Sequence, residues 1–230
     1  MKILVIDVGG THVKLLATGH KNKIEFDSSH TLTAKKMVQS VKALTAKAGW
    51  KFDAISMGYP GPVVHGRPML EPFNLGKGWV GFDYHRAFRH PIKIINDASM
   101  QAVGSYSGGR MLFLGLGTGL GTAMIVDSIV EPMELAHLPY KKGRSYEDYV
   151  GLQGLKRLGR KKWRKEVAHV VALLRAATQA DYVVLGGGNA RLLKKLPAKT
   201  RLGDNANAFR GGFRLWEASR SRSTRDRFVH

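Results

Sequence analysis

Two short apolar runs, each ending in a glycine turn and returning as a second strand, restrict the folds open to this chain. The first is Ile3–Val8, Gly9-Gly10 and His12–Thr18; the second is Met111–Leu116, the turn inside "GLGTGLG" (Gly115–Gly121) and Thr122–Val126. Aliphatic runs bounded by glycine read as paired strands. Lys23–Ser28 adds a third strand to the first hairpin. Thr33–Ala48 reads as a helix with Met37, Val41, Leu44 and Ala48 on one face. Ala54–Met57 and Pro91–Asn96 are further strands, and Ala98–Tyr106 is helical. In the second half, Arg160–Ala177 is a helix whose core stripe is Trp163, Val167, Val170, Val171 and Leu174. Tyr182–Leu185 is a buried strand ending in "GGGN", and a last helix runs from about Ala208 to Glu217. The pattern is α/β, in two related lobes: residues 1–97, completed by the helix near 208–217, and residues 98–207. The polar tail "ASRSRSTRDRFVH", 218–230, is expected to be disordered.

The chain has 230 residues, 43% of them apolar, enough for a sizeable core. There is no cysteine, which excludes disulfides, thiolate zinc sites and cysteine nucleophiles. No apolar run approaches a membrane span, and Lys2 is followed at once by a short strand, so no signal peptide is expected and the cytoplasm is the expected location. Lys and Arg number 37 against 17 Asp and Glu, a formal charge of +20. The excess is distributed: +7 over residues 1–97, +10 over 98–217 and +3 over 218–230. Such a field attracts polyanions, and on charge alone a functional groove and a merely soluble basic surface are equally open.

Turn glycines supply positive φ where a tight turn needs it. They also expose backbone N–H groups on which phosphate oxygens can converge, here beside Thr11 and Thr118. Asp7, at a strand end, could hold Mg²⁺ through water. There is no G-x-x-x-x-G-K-[ST], and "GLGTGLG" does not match G-x-G-x-x-G. Asp97 stands after an apolar strand and before a helix, where it could be an N-cap or a base; the residues alone leave both open. Glu134 and His137, three apart, share one side of a helical turn and suit a polyol's hydroxyls, or are an ordinary surface Glu and core His. No third ligand makes them a metal site. Leu155–Lys165, "LKRLGRKKWRK", is the densest basic run. It reads as a solvated helix face or as a track for a long phosphate chain; Trp163 alone gives nucleic acid little to stack on.

"DVGGTHVK", "GYPGPV", "NDA", "GLGTGLGTAMIVD", "ELAH" and "GGGN" occur in an order and spacing that resemble the ROK family of sugar kinases and repressors, within the actin-like ATPase superfamily. The resemblance spans residues 1–217 and is closest to the short polyphosphate- or ATP-dependent glucokinases. It implies a two-lobed actin-like (ribonuclease H-like) fold with a cleft between lobes, and transfer of a phosphoryl group from polyphosphate, ATP or both to the 6-hydroxyl of glucose. It implies phosphate binding by Asp7, Gly9, Gly10, Thr11 and Lys14 and by Gly117, Thr118, Gly119 and Gly121, with Mg²⁺ at Asp7. Gly187, Gly188 and Asn189 would meet the donor's distal part. Asp97 becomes the general base. Asn74, Asn96, Glu134 and His137 become sugar ligands, with Glu147 a further one. A homodimer is implied; a membrane or nucleic-acid partner is not. The chain departs from the family in lacking its zinc-binding cysteine cluster, for which "YEDYVG" (Tyr146–Gly151) is the proposed substitute, and in having Ala136 for glycine in "ELGH". No DNA-binding segment precedes residue 1, so a kinase is expected rather than a repressor. The alternatives are an ATP-only kinase for fructose, mannose or an amino sugar, and a non-catalytic regulator that binds sugar or polyanion.

Overall fold

A computed structural model describes residues 1–204 and 206–217; the basic tail expected over 218–230 lies outside the described residues. The described residues divide into two compact units, residues 1–100 with 208–217, and residues 101–207.

The first unit contains β1 (Ile3–Val8), β2 (His12–Ala17), β3 (Ile24–Asp27), α1 (Ala34–Lys47), β4 (Ala54–Tyr59), the small hairpin β5 (Val63–Val64) and β6 (Arg67–Pro68), α2 (Tyr84–Phe88), β7 (Ile92–Asn96) and the start of α3 (Asp97–Ser105). Its sheet runs β3-β2-β1-β4-β7, with β1, β4 and β7 parallel and β2 and β3 antiparallel. β1 is apolar throughout because both its faces are covered. Leu4, Ile6 and Val8 join the core that holds Met37, Val38 and Val41 of α1. Ile3 and Val5 pack with Met100, Ala208 and Phe209. The C-terminal helix, Asn207–Glu217, lies so close to β1 that a Cβ at Gly212 would overlap Val5. Buried Ser56 fixes that approach: its Oγ donates to Gly212 O at 2.6 Å and accepts from Trp216 Nε1 at 2.9 Å. Thr33 starts α1 by accepting the Lys36 N–H.

The second unit contains β8 (Arg110–Leu116), β9 (Leu120–Val126), β10 (Ile129–Met133), the hairpin β11 (Pro139–Lys141) and β12 (Arg144–Ser145), α4 (Tyr146–Val150), α5 (Leu152–Thr178), β13 (Tyr182–Gly186) and β14 (Thr200–Leu202). Its sheet runs β10-β9-β8-β13-β14, again with three parallel strands and two antiparallel ones. The internal duplication suggested by the two hairpins is thus a repeated strand order. α5 joins two helices across a break at Gly159, where φ is 70° and ψ 159°; its longer part, after the break, is the helix expected from Arg160. The basic run therefore straddles a kink instead of forming one helix face. The stripe expected from the sequence is buried, and Trp163 also donates to Val150 O at 2.9 Å. No helix among the described residues is long and apolar enough to cross a membrane.

Candidate functional site

In the first unit the carboxyl ends of β1, β4 and β7 share one edge of the sheet, where open α/β sheets gather ligands. Asp7 pairs with Gly58 and Tyr59 with Asn96. The turn after β1 is held by its own neighbours: Gly9 N donates to His12 O at 3.0 Å, Ser28 Oγ to Gly9 O at 2.6 Å and Ser28 N to Thr11 O at 2.9 Å. Neither Gly9 nor Gly10 has positive φ, contrary to the turn argument from sequence. Gly9 is required for space, since a Cβ would stand 2.9 Å from His12 O. A Cβ at Gly10 would stand 3.6 Å from the Asn74 side chain, so the expected sugar loop lies beside the expected phosphate turn.

Asp7 and Lys14 are paired across β1 and β2, and their charged atoms are 4.0 Å apart. Burial pushes the Asp7 carboxyl above its ordinary range, against the pull of the Lys14 and Lys23 ammoniums. Asn96, rather than Asp97, is the side chain that caps α3. Its Oδ1 accepts the Ser99 N–H at 3.1 Å while its Nδ2 donates to Gly61 O at 3.1 Å. Asp97 Oδ1 accepts the Ala98 N–H at 2.8 Å.

The second turn is clamped by distant segments of its own unit. Asn189 Nδ2 donates to Gly117 O at 2.8 Å, Leu152 N to Thr118 O at 3.1 Å, and Leu120 N to Glu147 Oε2 at 3.0 Å. Gly117, Gly119 and Gly121 also lack positive φ. A Cβ at Gly119 would overlap the Glu147 carboxylate, whereas at Gly117 and Gly188 it would meet nothing within 4 Å. Gly187 does need glycine: its φ is 80° and Leu116 backbone lies against it.

"ELAH" forms a turn after β10, held by Leu135 N donating to Thr122 Oγ1 at 3.2 Å. Glu134 and His137 are exposed there, with Glu134 Oε1 and His137 Nε2 3.7 Å apart. Partial burial raises the Glu134 pKa, His137 opposes that shift and Glu147 adds to it. Two backbone bonds zip this turn to "YEDYVG": Glu147 N donates to Ala136 O at 3.0 Å and Tyr146 N to Leu138 O at 3.2 Å. The Ala136 methyl is buried in the core of the unit, with no positive φ to oppose it. Tyr140 O–H and Lys141 Nζ both donate to Glu166 Oε2, at 2.9 and 2.8 Å, which ties the β11–β12 hairpin to α5. Tyr140 also stacks on Tyr146.

Glu134, His137 and Glu147 therefore converge beside the second turn, and Asn74 adjoins the first. Sequence reading missed Ser28, Leu152 and Glu166, and also Glu71, whose carboxylate organises the Asn74 loop by accepting the Trp79 and Val80 N–H groups. None of these carries a local signal, because each acts on residues distant in sequence. In the basic run, Arg157 donates to Asp148 O and Arg164 to Leu192 O, both at 2.6 Å. Lys156, Arg160, Lys161, Lys162 and Lys165 are exposed and have no protein partner among the described residues. No three His, Cys, Asp or Glu side chains among those residues converge as a metal site.

The polyphosphate glucokinase of Mycobacterium tuberculosis is 26% identical to this chain over 211 residues, covering 83% of the chain and 78% of that protein. The structure matches the inorganic polyphosphate/ATP-glucomannokinase of Arthrobacter sp. strain KM with a TM-score of 0.81 at 19% identity, over 95% of this chain and 99% of that one. It matches a ROK family glucokinase from Streptomyces griseus, in complex with glucose and AMPPNP, with a TM-score of 0.74 at 15% identity, over 94% and 99% of the two chains. These likenesses establish the fold of the ROK sugar kinases, of actin-like ATPase type. The ROK family profile itself matches residues 3–131, more than half of the sequence, and the chain belongs to the ROK family.

Proposed function

We propose that this protein is a Mg²⁺-dependent glucokinase that draws its phosphoryl group from inorganic polyphosphate, ATP or both. The observation that carries the reading is the shared edge of the first sheet. Asp7 with its glycine turn and Asn96-Asp97 stand at the carboxyl ends of strands separated by one intervening strand. Two strand spacings are about 10 Å, room for a metal-bound phosphoryl group between them. Phosphoryl transfer to a hydroxyl needs a base on the acceptor and positive charge around the transferring group. Asp97 takes the proton of the sugar hydroxyl, and Asn74 and Asn96 orient the sugar from the same unit. Asp7 suits Mg²⁺, which keeps most of its waters and needs few carboxylates. Its burial leaves the anion short of solvation despite Lys14, and a cation would supply the missing charge. The metal would neutralise charge on the phosphoryl oxygens.

Within the second unit, the glycine turn is the candidate donor-binding segment, and Glu134, His137 and Glu147 beside it are candidate sugar ligands. A Cβ at Gly117 or Gly188 would meet no atom within 4 Å among the described residues, so bare backbone there leaves room for a ligand. Polyphosphate as donor is supported by the exposed cations Lys156, Arg160, Lys161, Lys162 and Lys165, which can meet many phosphates of one chain. The test is sugar phosphate formation for ATP and polyphosphate against several hexoses, with a Lys161→Glu/Lys162→Glu/Lys165→Glu variant alongside. Glucose with polyphosphate should be turned over, and the triple variant should raise KM for long polyphosphate about tenfold or more and flatten its salt dependence, with a smaller change for ATP. Equal losses with both donors make the run a general steering feature, and activity with ATP alone removes the polyphosphate reading.

A further inference from the structure

Glu147 carries two connections that the sequence keeps apart. Its backbone N–H is bonded to Ala136 O inside the sugar segment, and its carboxylate accepts the N–H of Leu120 in the donor turn. Gly151, next to α4, donates its N–H to Glu147 O at 2.8 Å, and Leu152 donates to Thr118 O, so the same short stretch touches the turn twice. The absence of a side chain at Gly119 is what admits the carboxylate. Glu134 lies close enough to have its pKa raised by Glu147, which places the sugar carboxylate–histidine pair within electrostatic reach of the same group.

Resting on the kinase reading above, we infer that Glu147 is a positioning residue for the phosphoryl donor as well as a sugar ligand, and that it couples the two binding events. A carboxylate has acceptor capacity for the Leu120 N–H and a sugar hydroxyl together. Whatever fixes the carboxylate from the sugar side also fixes the donor turn, and by linkage donor binding improves sugar binding by the same factor.

The experiment separates the two roles by measuring donor affinity with no sugar present. AMPPNP and a long polyphosphate are titrated into wild-type protein and into Glu147→Ala, Glu147→Gln and His137→Ala variants, and glucose is titrated separately. Glutamine keeps an oxygen for the Leu120 N–H, and alanine does not. Glu147→Ala should weaken sugar-free donor binding about fivefold, the effect expected for one lost hydrogen bond. Glu147→Gln and His137→Ala should stay within about twofold of wild type for donor, while all three weaken glucose. The severalfold gain in donor affinity produced by glucose in the wild type should disappear in Glu147→Ala. Should that variant not fold, Gly119→Ala displaces the carboxylate without removing it and should weaken sugar-free donor binding in its place. Donor affinity unchanged in Glu147→Ala, or lost equally in Glu147→Gln, overturns the inference and leaves the kinase reading intact. Wild-type protein that phosphorylates no sugar overturns the reading on which it rests.

Discussion

The two glycine turns occupy the same place in two sheets of the same strand order, yet they are built differently. The first is held by its own neighbours, through Ser28 and the Gly9–His12 bond, and it is flanked by charge: Asp7 on one strand, Lys14 on the other. The second has no titratable side chain in the turn and is clamped by Asn189, Glu147 and Leu152 from three other segments. Backbone packing leaves no room for a Cβ at Gly9, whereas a Cβ at Gly117 would meet nothing within 4 Å. A repeated topology thus carries two kinds of work. The first unit places ionisable groups, and the second presents backbone held still by long-range bonds. Such preorganised dipoles stabilise charge without having to reorient.

If that division of labour holds, the largest loss comes from the first unit. Asp97→Asn keeps the shape at the start of α3, and Asn96 still caps the helix. The amide cannot take a proton, so kcat should fall roughly 10²–10⁴-fold with glucose affinity largely unchanged. Rapid-quench turnover and calorimetric glucose titration read the two quantities separately. A near-normal kcat would move the base elsewhere and remove the chemical distinction between the units.

The strands and glycine turns were legible because apolar runs between glycines report burial directly. β1, covered on both faces, is the clearest case. The pieces that complete the site were not. α4 and the β11–β12 hairpin are too short to show a period, and they are held by a tyrosine–lysine–glutamate cluster drawn from segments some 25 residues apart. The short helical segment of α5 before the break was hidden by Gly154 and Gly159. Gly154 is there because a Cβ would overlap Tyr149 backbone, a packing reason with no sequence pattern. Similarly, "ELAH" and "YEDYVG" are visible as motifs, but only the fold shows that Glu147 reaches Leu120.

The second effect separates stability from activity at Asp7. Because burial raises its folded pKa above the ordinary 3.8, folding disfavours its ionised form. The native state then binds more protons than the unfolded state between those two values, so this group's contribution to stability falls as pH rises through that window. Above the raised pKa the penalty is complete; below 3.8 it vanishes. Asp7→Asn should therefore have a higher Tm than wild type at neutral pH, with the difference shrinking on acidification. Lys14 loses its partner but is substantially exposed, so little is forfeited there. Activity should move the other way, dropping roughly 10–100-fold as expected for an outer partner of a metal. A variant both less stable and less active would make Asp7 a structural ion pair.

The smallest effect tests the turns against each other. Gly9→Ala drives a methyl onto the His12 carbonyl oxygen, which is backbone and has to shift; strain of this kind costs about 1–3 kcal/mol. Gly117→Ala meets no atom within 4 Å and has no positive φ to satisfy, so denaturant unfolding should place it within about 0.5 kcal/mol of wild type. The folded protein should nevertheless bind donor more weakly, because the methyl occupies space that only a ligand would use, and its glucose affinity without donor should be unchanged. A Gly117→Ala protein with normal donor affinity would show that the open space beside the second turn is not a binding surface. One destabilised as much as Gly9→Ala would show that both glycines serve the fold, and the contrast between the turns would be lost.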